Sequence, residues 1–402
     1  MTVGTSSTAA PTAALAPALR TAPLAPGDRA PDFLLPDQDK AVDPFYDLVR
    51  GGPIVLHFFP SIGEAAHRAE FDRFVKRHAG FATLGAQVMA IDTDTLDANI
   101  LAAATDGVPF ALLTDPGGRV HRQYGVPVPD PGQPAEPSAR SIVTFVLDAN
   151  QRVLETIQGR GMAPHAERAL ACLERSSPAS AAETVTMTAP VLIVPRVLDR
   201  AFCRRLIEVW ATRGNTESGT ITLGKGGREA KTLRADVKRR RDHHVKDPAL
   251  FREISDTVFA RVAPEVGRAF DAELSRVEEF KIVRYDADEG GFFRPHRDNS
   301  VPARGQRRFA MTLNLNTEDY EGGELRFPEY GPNLYRPGTG DAVVFACSLL
   351  HEALDVTRGS RFVLLSFLLD RTPERWQRDR KRWLDANIAA LEAGLKAQRG
   401  GP

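Results

Sequence analysis

His296 and Asp298 stand two residues apart in the segment YDADEGGFFRPHRDN, Tyr285 to Asn299. On a β-strand, residues i and i+2 project from one face, so an imidazole and a carboxylate at this spacing can converge on one metal ion. A third ligand has to come from elsewhere, and His351 in SLLHEALDV is the natural candidate. Two histidines and one carboxylate on one side of a metal leave three positions open, the set used by Fe(II) centres that activate O2. An isolated HxD pair is weak, because polar residues on an exposed strand produce it by chance. The downstream order outweighs that reading: EGGEL (Glu321 to Leu325), PGTGDAVVF (Pro337 to Phe345), His351, and then Arg361 at the head of the apolar run FVLLSFLLD. A guanidinium opening so apolar a strand needs a partner, and a dicarboxylate cosubstrate supplies one through paired hydrogen bonds.

The elements that must position these residues follow from periodicity. From Val277 to Asp370, many short strands separated by Gly/Pro turns predict an all-β sandwich or barrel. Ahead of it, APVLIVPRVL reads as a strand and Asp199 as the start of a helix through Cys203, Leu206, Ile207 and Trp210. A second amphipathic helix is expected over roughly Asp247 to Leu274. The tail from Pro373 to Gln398 returns to helical spacing, with Trp376, Trp383, Leu384, Ile388, Leu391 and Leu395 on one stripe. That stripe suits a cover packed on the sandwich, the preferred reading, or a homodimer interface.

The first half has a different rhythm. GPIVLHFFP (Gly52 to Pro60), AQVMAID (Ala86 to Asp92), VPFALLTD (Val108 to Asp115) and SIVTFVLD (Ser141 to Asp148) are apolar runs alternating with helical stretches. They predict an α/β sheet that finishes in an antiparallel hairpin through Ala149-Asn150-Gln151 to RVLETIQG. SSPASAAETVTMT, small and polar, reads as a linker. The expected division is a disordered leader over 1–25, an α/β domain over 26–174, a linker over 175–188, the β-rich domain over 189–371 and a terminal amphipathic helix over 372–402.

The region from about Ala189 to Asp370 resembles the prolyl 4-hydroxylase-like branch of the 2-oxoglutarate/Fe(II) dioxygenases. The resemblance lies in APVLIVPRVLDRAFCRRLI, the Tyr-then-Gly lead into HxD, RFAMTLNLN, EGGEL, the PGTGD turn and HEALDVTRGSRFVL. It implies a double-stranded β-helix, or jelly roll, with flanking helices. His296, Asp298 and His351 would be iron ligands, and Arg361 would grip the distal carboxylate of 2-oxoglutarate. Tyr285 and Thr312 match positions that help bind this cosubstrate, with a purely structural role as the equal alternative. It further implies Fe(II), 2-oxoglutarate and O2 as reactants, ascorbate as the reductant, and hydroxylation of a small-molecule or peptidyl substrate with release of succinate and CO2.

PGDRAPDFLLPD (Pro26 to Asp37), VLHFFP, VPFALLTDPGGRVHRQYGV and TFVLD resemble a peroxiredoxin of the thioredoxin fold, over about Pro26 to Arg160. Members carry Pro-x3-Thr-x2-Cys; here Pro60 is kept, Glu64 stands at the Thr position and His67 at the Cys position. The supporting Arg expected before TFVLD falls on Ile142, with Arg140 nearby. Peroxide reduction needs a thiolate, and imidazole cannot form the sulfenic intermediate. The expectation is a redox-inactive scaffold, with Glu64 and His67 an i, i+3 pair on a helix surface. Two other readings stand beside the oxygenase: a non-catalytic iron or redox sensor, and an antioxidant peroxiredoxin with an appended oxygenase domain.

The 52 basic and 52 acidic residues balance, so charge gives no argument for a nucleic-acid or membrane partner. The run Lys238-Arg239-Arg240-Arg241 is expected to be a solvated face. Cys172, Cys203 and Cys347 form no CxxC pair, which fits a cytoplasmic, reducing compartment. Cys347 reads as a buried structural thiol.

Overall fold

The computed structural model describes residues 20–49, 51–128, 142–159, 164–176, 184–223, 229–299 and 307–370. The chain divides into two compact units, Met1–Ser180 and Ala181–Pro402. The expected terminal helix lies outside the described residues, as does Arg140.

In the first unit, the four apolar runs and the hairpin return become β1 (Ile54–Phe58), β2 (Gln87–Asp92), β3 (Ala111–Thr114), β4 (Ile142–Leu147) and β5 (Val153–Gly159). They form one sheet in the order β3-β2-β1-β4-β5. β1 runs parallel to β2 and β2 to β3, whereas β4 is antiparallel to both β1 and β5. Side chains alternate across a strand, so Ile54, Leu56 and Phe58 enter one core and Val55 the other. Helices α1 (Ala65–Thr83) and α3 (His165–Ser176) pack with that second core through Phe71, Phe74, Ala169 and Leu173, and α2 (Leu96–Asp106) bridges β2 and β3 in sequence. This is a thioredoxin-like arrangement. The ordered chain reaches back into the expected leader: Arg20 pairs with Asp28 and Leu24 is fully buried.

The second unit begins with β6 (Val191–Val194) and α4 (Arg200–Thr212), the latter capped by Asp199, whose carboxylate accepts from the Phe202 N–H at 2.7 Å. β7 (Thr216–Glu217), β8 (Lys238–Arg239) and β9 (Arg241–His244) follow. The single helix expected over Asp247 to Leu274 is two: α5 (Pro248–Arg261) and α6 (Ala263–Phe270). Pro264 has no N–H to continue the ladder, so the first helix stops and a new one starts with Pro in its first turn. Asp271 then takes a left-handed conformation (φ 49°), and Leu274 already belongs to a strand.

The remaining strands are β10 (Leu274–Asp286), β11 (Phe292–His296), β12 (Phe309–Asn314), β13 (Leu325–Arg326), β14 (Leu334–Tyr335), β15 (Ala342–Ala346), β16 (His351–Ala353) and β17 (Ser360–Asp370). A seven-stranded sheet runs β6-β15-β12-β17-β10-β9-β7, and a five-stranded sheet runs β8-β11-β16-β13-β14. Period-2 alternation sorts the larger sheet. Phe280, Ile282, Met311, Leu313, Leu364 and Leu368 share a core with Leu206, Ile254 and Val258 of the helices. Tyr285, Thr312 and Arg361, of opposite parity, line a cavity of about 700 Å³ together with His296, Asp298 and His351.

Candidate metal centre and cosubstrate pocket

Antiparallel pairing of β11 with β16 puts His296 directly opposite His351. The strand ends at His296, so Asp298 lies just past it rather than in the ladder. Its position is fixed differently: the Asp298 N–H donates to the Cys347 carbonyl at 3.0 Å, which ties the HxD segment to the turn leading into β16. Asp298 Oδ1 lies 3.6 Å from His296 Nε2, and Asp298 Oδ2 lies 3.3 Å from His351 Nε2. One donor atom from each of the three residues falls within 4.8 Å of the others, a grouping that could hold a metal ion.

The hydrogen bonds decide which atoms are available. His296 Nδ1 donates to the Arg294 carbonyl at 2.9 Å and His351 Nδ1 to the Leu349 carbonyl at 3.0 Å. A carbonyl only accepts, so each Nδ1 carries the proton and each Nε2 presents a lone pair toward Asp298. Burial pushes His351 down to about 4, which keeps the imidazole neutral as a metal ligand requires. Burial alone would raise the Asp298 carboxyl; the neighbouring His351, His296 and Arg307 side chains outweigh it and hold the group well below the usual carboxylate range. Neutral imidazoles and a carboxylate, each oriented by backbone, fit Fe(II). Cys347, fully buried with its thiol pushed up by burial, is a structural residue here.

Arg361 is 3% exposed on the cavity wall. Among the described residues its guanidinium has no carboxylate partner, and its Nε is buried without a hydrogen bond. It is the cross-strand partner of Tyr285, and its guanidinium carbon sits 5.3 Å from the centre of that ring. Thr312, in the next strand of the sheet, also faces the cavity with a buried Oγ1 that lacks a partner among the described residues. The Tyr285 hydroxyl accepts from Arg240 Nη1 at 3.0 Å, which leaves its own proton to donate. Among the described residues, one cation and two hydroxyls without acceptors stand on one wall, an arrangement that could receive a carboxylate. Gly323 of EGGEL makes room for it: at φ 69°, a Cβ there would stand 2.9 Å from Arg361 Cδ.

The basic run is not the solvated face its composition predicts. It crosses from the five-stranded sheet (β8) to the seven-stranded one (β9), and Lys238 and Arg240 turn inward to line the cavity. Arg239 lies outside against Phe292. Arg307, 5% exposed, also lines the cavity; its Nε donates to Glu278 Oε2 at 2.7 Å and its Nη2 to the other oxygen. The missed signal was the i, i+2 spacing of Lys238 and Arg240 within an otherwise strand-like segment.

In the first unit, His67 sits in the first turn of α1 and is buried, not on the helix surface, because it shares the α1 face of Phe71 and Phe74, four and seven residues on, which enter the second core. Its Nδ1 is 3.2 Å from the Ser61 carbonyl and 3.8 Å from the exposed Glu64 carboxylate. Ile142 is buried within β4, and Cys172 is buried on α3. Sequence reading missed a chain of buried groups nearby: Thr144 Oγ1 lies 2.9 Å from both His57 Nδ1 and His165 Nδ1.

Comparison with known proteins accounts for both halves. The model of the AhpC/TSA family matches residues 26–156, and that of the 2OG-Fe(II) oxygenase superfamily matches residues 280–369. A protein named as a peroxiredoxin in Mycobacterium tuberculosis is 33% identical over 148 residues, 37% of this chain and 94% of its own length. A PKHD-type hydroxylase of Paracoccus denitrificans is 35% identical over 217 residues, 52% of this chain and 88% of its own. The chain belongs to both families, a peroxiredoxin-family domain followed by a 2OG-Fe(II) oxygenase. It is therefore a dioxygenase, and family chemistry implies Fe(II), 2-oxoglutarate and O2. The procollagen lysine hydroxylase and glycosyltransferase LH3 of rat is 37% identical over 91 residues, 22% of this chain and only 11% of the relative. Among the described residues, no helix is long and apolar enough to cross a membrane.

Proposed function

We propose that the chain is a hydroxylase in which His296, Asp298 and His351 hold Fe(II) and Arg361, with Tyr285 and Thr312, grips the distal carboxylate of 2-oxoglutarate. The observation that carries this reading is the buried Arg361, without a carboxylate partner among the described residues, on the same cavity as the three-residue metal grouping. We read the two sheets as the halves of a double-stranded β-helix. When bound, the iron and cosubstrate supply the oxidation: 2-oxoglutarate, O2 and a C–H bond become succinate, CO2 and an alcohol.

The chain's own residues do the rest. Backbone carbonyls of Arg294 and Leu349 fix the ring orientation of both histidines. The Tyr285 and Thr312 hydroxyls and the Arg361 fork fix the cosubstrate's far end, so its keto acid end is directed toward the metal side of the cavity. Phe293, stacked on His296 with ring centres 3.5 Å apart, keeps water from that side of the imidazole. Ascorbate would serve as the reductant that restores Fe(II) after turnover without substrate. The peroxiredoxin-like unit, with Glu64 and His67 where the reaction needs Thr and Cys, acts as a scaffold and not as a peroxidase. The substrate class begins with small molecules and peptides carrying an unactivated C–H bond, prolyl residues included.

The test is uncoupled turnover followed by product analysis. Purified protein with Fe(II), ascorbate and 2-oxoglutarate should release succinate, and candidate pools should yield a product heavier by one oxygen from 18O2. No succinate from iron-loaded protein would exclude the reading.

A further inference from the structure

The cosubstrate clamp has a second layer, built on Arg240. This residue precedes β9 by one position, and the pairing of Arg241 with Arg284 carries it alongside Tyr285. Its Nη1 donates to the Tyr285 hydroxyl at 3.0 Å, and its Nη2 donates to Asp242 Oδ2 at 3.2 Å. The guanidinium carbon stands 5.8 Å from the Tyr285 ring centre and 5.4 Å from that of Phe293, the ring stacked on His296. Arg361 approaches Tyr285 from β17, on the other side of β10, so two guanidinium groups flank one ring.

Asp242 and Ser218 hold Arg240 in turn. Arg240 Nε lies 3.0 Å from Asp242 Oδ1, and the Ser218 hydroxyl donates to Asp242 Oδ2 at 2.7 Å. The Ser218 N–H donates to the Arg240 carbonyl at 3.0 Å, which closes a loop of contacts around the side chain. The Arg240 and Asp242 side chains are only 9% and 5% exposed. A buried ion pair is a poor way to gain stability, since apolar residues of similar volume often do as well or better. What the pair does secure is the place and direction of the Arg240 fork beneath Tyr285.

A tyrosine hydroxyl has one proton to give and lone pairs with which to accept, whereas a guanidinium can only donate. The contact from Arg240 therefore occupies the acceptor side of the Tyr285 hydroxyl and leaves its proton for a ligand that accepts. We propose that Arg240 is a positioning residue for cosubstrate recognition: locked by Asp242 and Ser218, it holds the Tyr285 hydroxyl as a donor to the distal carboxylate of 2-oxoglutarate. This rests on the oxygenase reading above and extends it from residues that touch the cosubstrate to one that acts through them.

Calorimetry of 2-oxoglutarate binding to the full-length, Zn(II)-substituted protein reads the effect without turnover. Arg240→Met should raise the Kd roughly threefold to tenfold, the value of one net hydrogen bond. Arg240→Lys should recover part of that loss, because it keeps the charge but lacks the planar fork that reaches Asp242 and Tyr285 together. Tyr285→Phe should weaken binding by a similar factor, and adding Arg240→Met to it should cost little more, since the arginine acts through the hydroxyl. 2-Oxopentanoate, with a methyl group in place of the distal carboxylate, should bind the wild type and Arg240→Met equally. In succinate release, the KM for 2-oxoglutarate should follow the Kd while kcat changes little. Arg240→Met leaves Asp242 without its cation, so the double variant Arg240→Met/Asp242→Asn, which removes both charges, repeats the comparison in a protein spared that penalty. Additive losses from Arg240→Met and Tyr285→Phe, 2-oxopentanoate binding weakened by the same factor, or unchanged 2-oxoglutarate affinity in a folded Arg240 variant would overturn the proposal. A wild type that binds no 2-oxoglutarate would sink the oxygenase reading, and this proposal with it.

Discussion

Arg361 and Tyr285 face each other across β17 and β10, and the guanidinium of the first lies over the ring of the second at 5.3 Å. The contact holds the fork's plane without using any of its N–H groups, which leaves the donors free for an anion. Arg361→Leu should therefore raise the 2-oxoglutarate KM roughly tenfold to a thousandfold, with Fe(II) content preserved. Arg361→Lys should do less harm, because charge is kept and only the planar fork is lost. A folded, iron-loaded Arg361→Leu protein with an ordinary 2-oxoglutarate titration would show that the clamp lies elsewhere.

Gly323 stands behind that clamp. Its φ of 69° already disfavours any side chain, and a Cβ would press on Arg361 Cδ and Val356 Cγ2, each 2.9 Å away. Gly323→Ala should weaken 2-oxoglutarate binding several-fold and lower stability by about 1 kcal/mol or more. Cosubstrate titration and thermal melting read the two effects separately.

Replacement of the metal-facing residues has a different signature. His296→Ala and Asp298→Ala should abolish both stoichiometric Fe(II) binding and succinate formation, since Asp298 is the anionic member of the trio. Full succinate formation in either variant would mean the ligands are misassigned.

Peroxide is the measurement for the first unit. The full chain should consume hydrogen peroxide no faster than an unrelated protein with buried thiols, and Cys172→Ser should change nothing, because burial pushes the Cys172 thiol up and away from the reactive thiolate. Rapid thioredoxin-dependent consumption that vanishes in Cys172→Ser would make that residue a nucleophile after all.

The buried chain His57–Thr144–His165 predicts an acid-sensitive first unit. Burial lowers His165 to about 4 and His57 well below its ordinary value of 6.5. Both rings fold in the neutral form, so the unfolded chain binds more protons below pH 6.5. The associated stability is full above about 6.5 and is lost as the pH falls toward 4, by about 3 kcal/mol for His165 alone. Hydrogen exchange in β1, β4 and α3, corrected for intrinsic rates, should show protection falling between pH 7 and pH 5. His165→Gln should flatten that dependence; an unchanged slope would locate the acid sensitivity elsewhere.

Much of the site was legible because its signals are local. The spacing of His296 and Asp298, and an Arg at the head of FVLLSFLLD, carry their chemistry within a few residues. Five apolar or alternating runs likewise announced the first sheet, since burial on both faces dictates composition directly. What escaped depends on partners far along the chain. Lys238 and Arg240 look solvated until Tyr285, Phe293 and the change of sheet are known, because a charge run normally seeks water. The buried Thr144 relay joins three segments, none of which is unusual alone. The break between α5 and α6 was written in Pro264 but masked by apolar spacing that continues through it.

The two imidazoles take their orientation from main-chain carbonyls, at Arg294 and Leu349, and not from side-chain carboxylates. Mutation cannot delete a carbonyl. The side chain at 294 is thus free to drift under selection for other ends, such as the ion pair Arg294 now makes with Asp355, whereas Leu349 also packs against the core of Phe327 and Phe345. Directed evolution toward new substrates can vary position 294 without removing the acceptor that points the His296 ring.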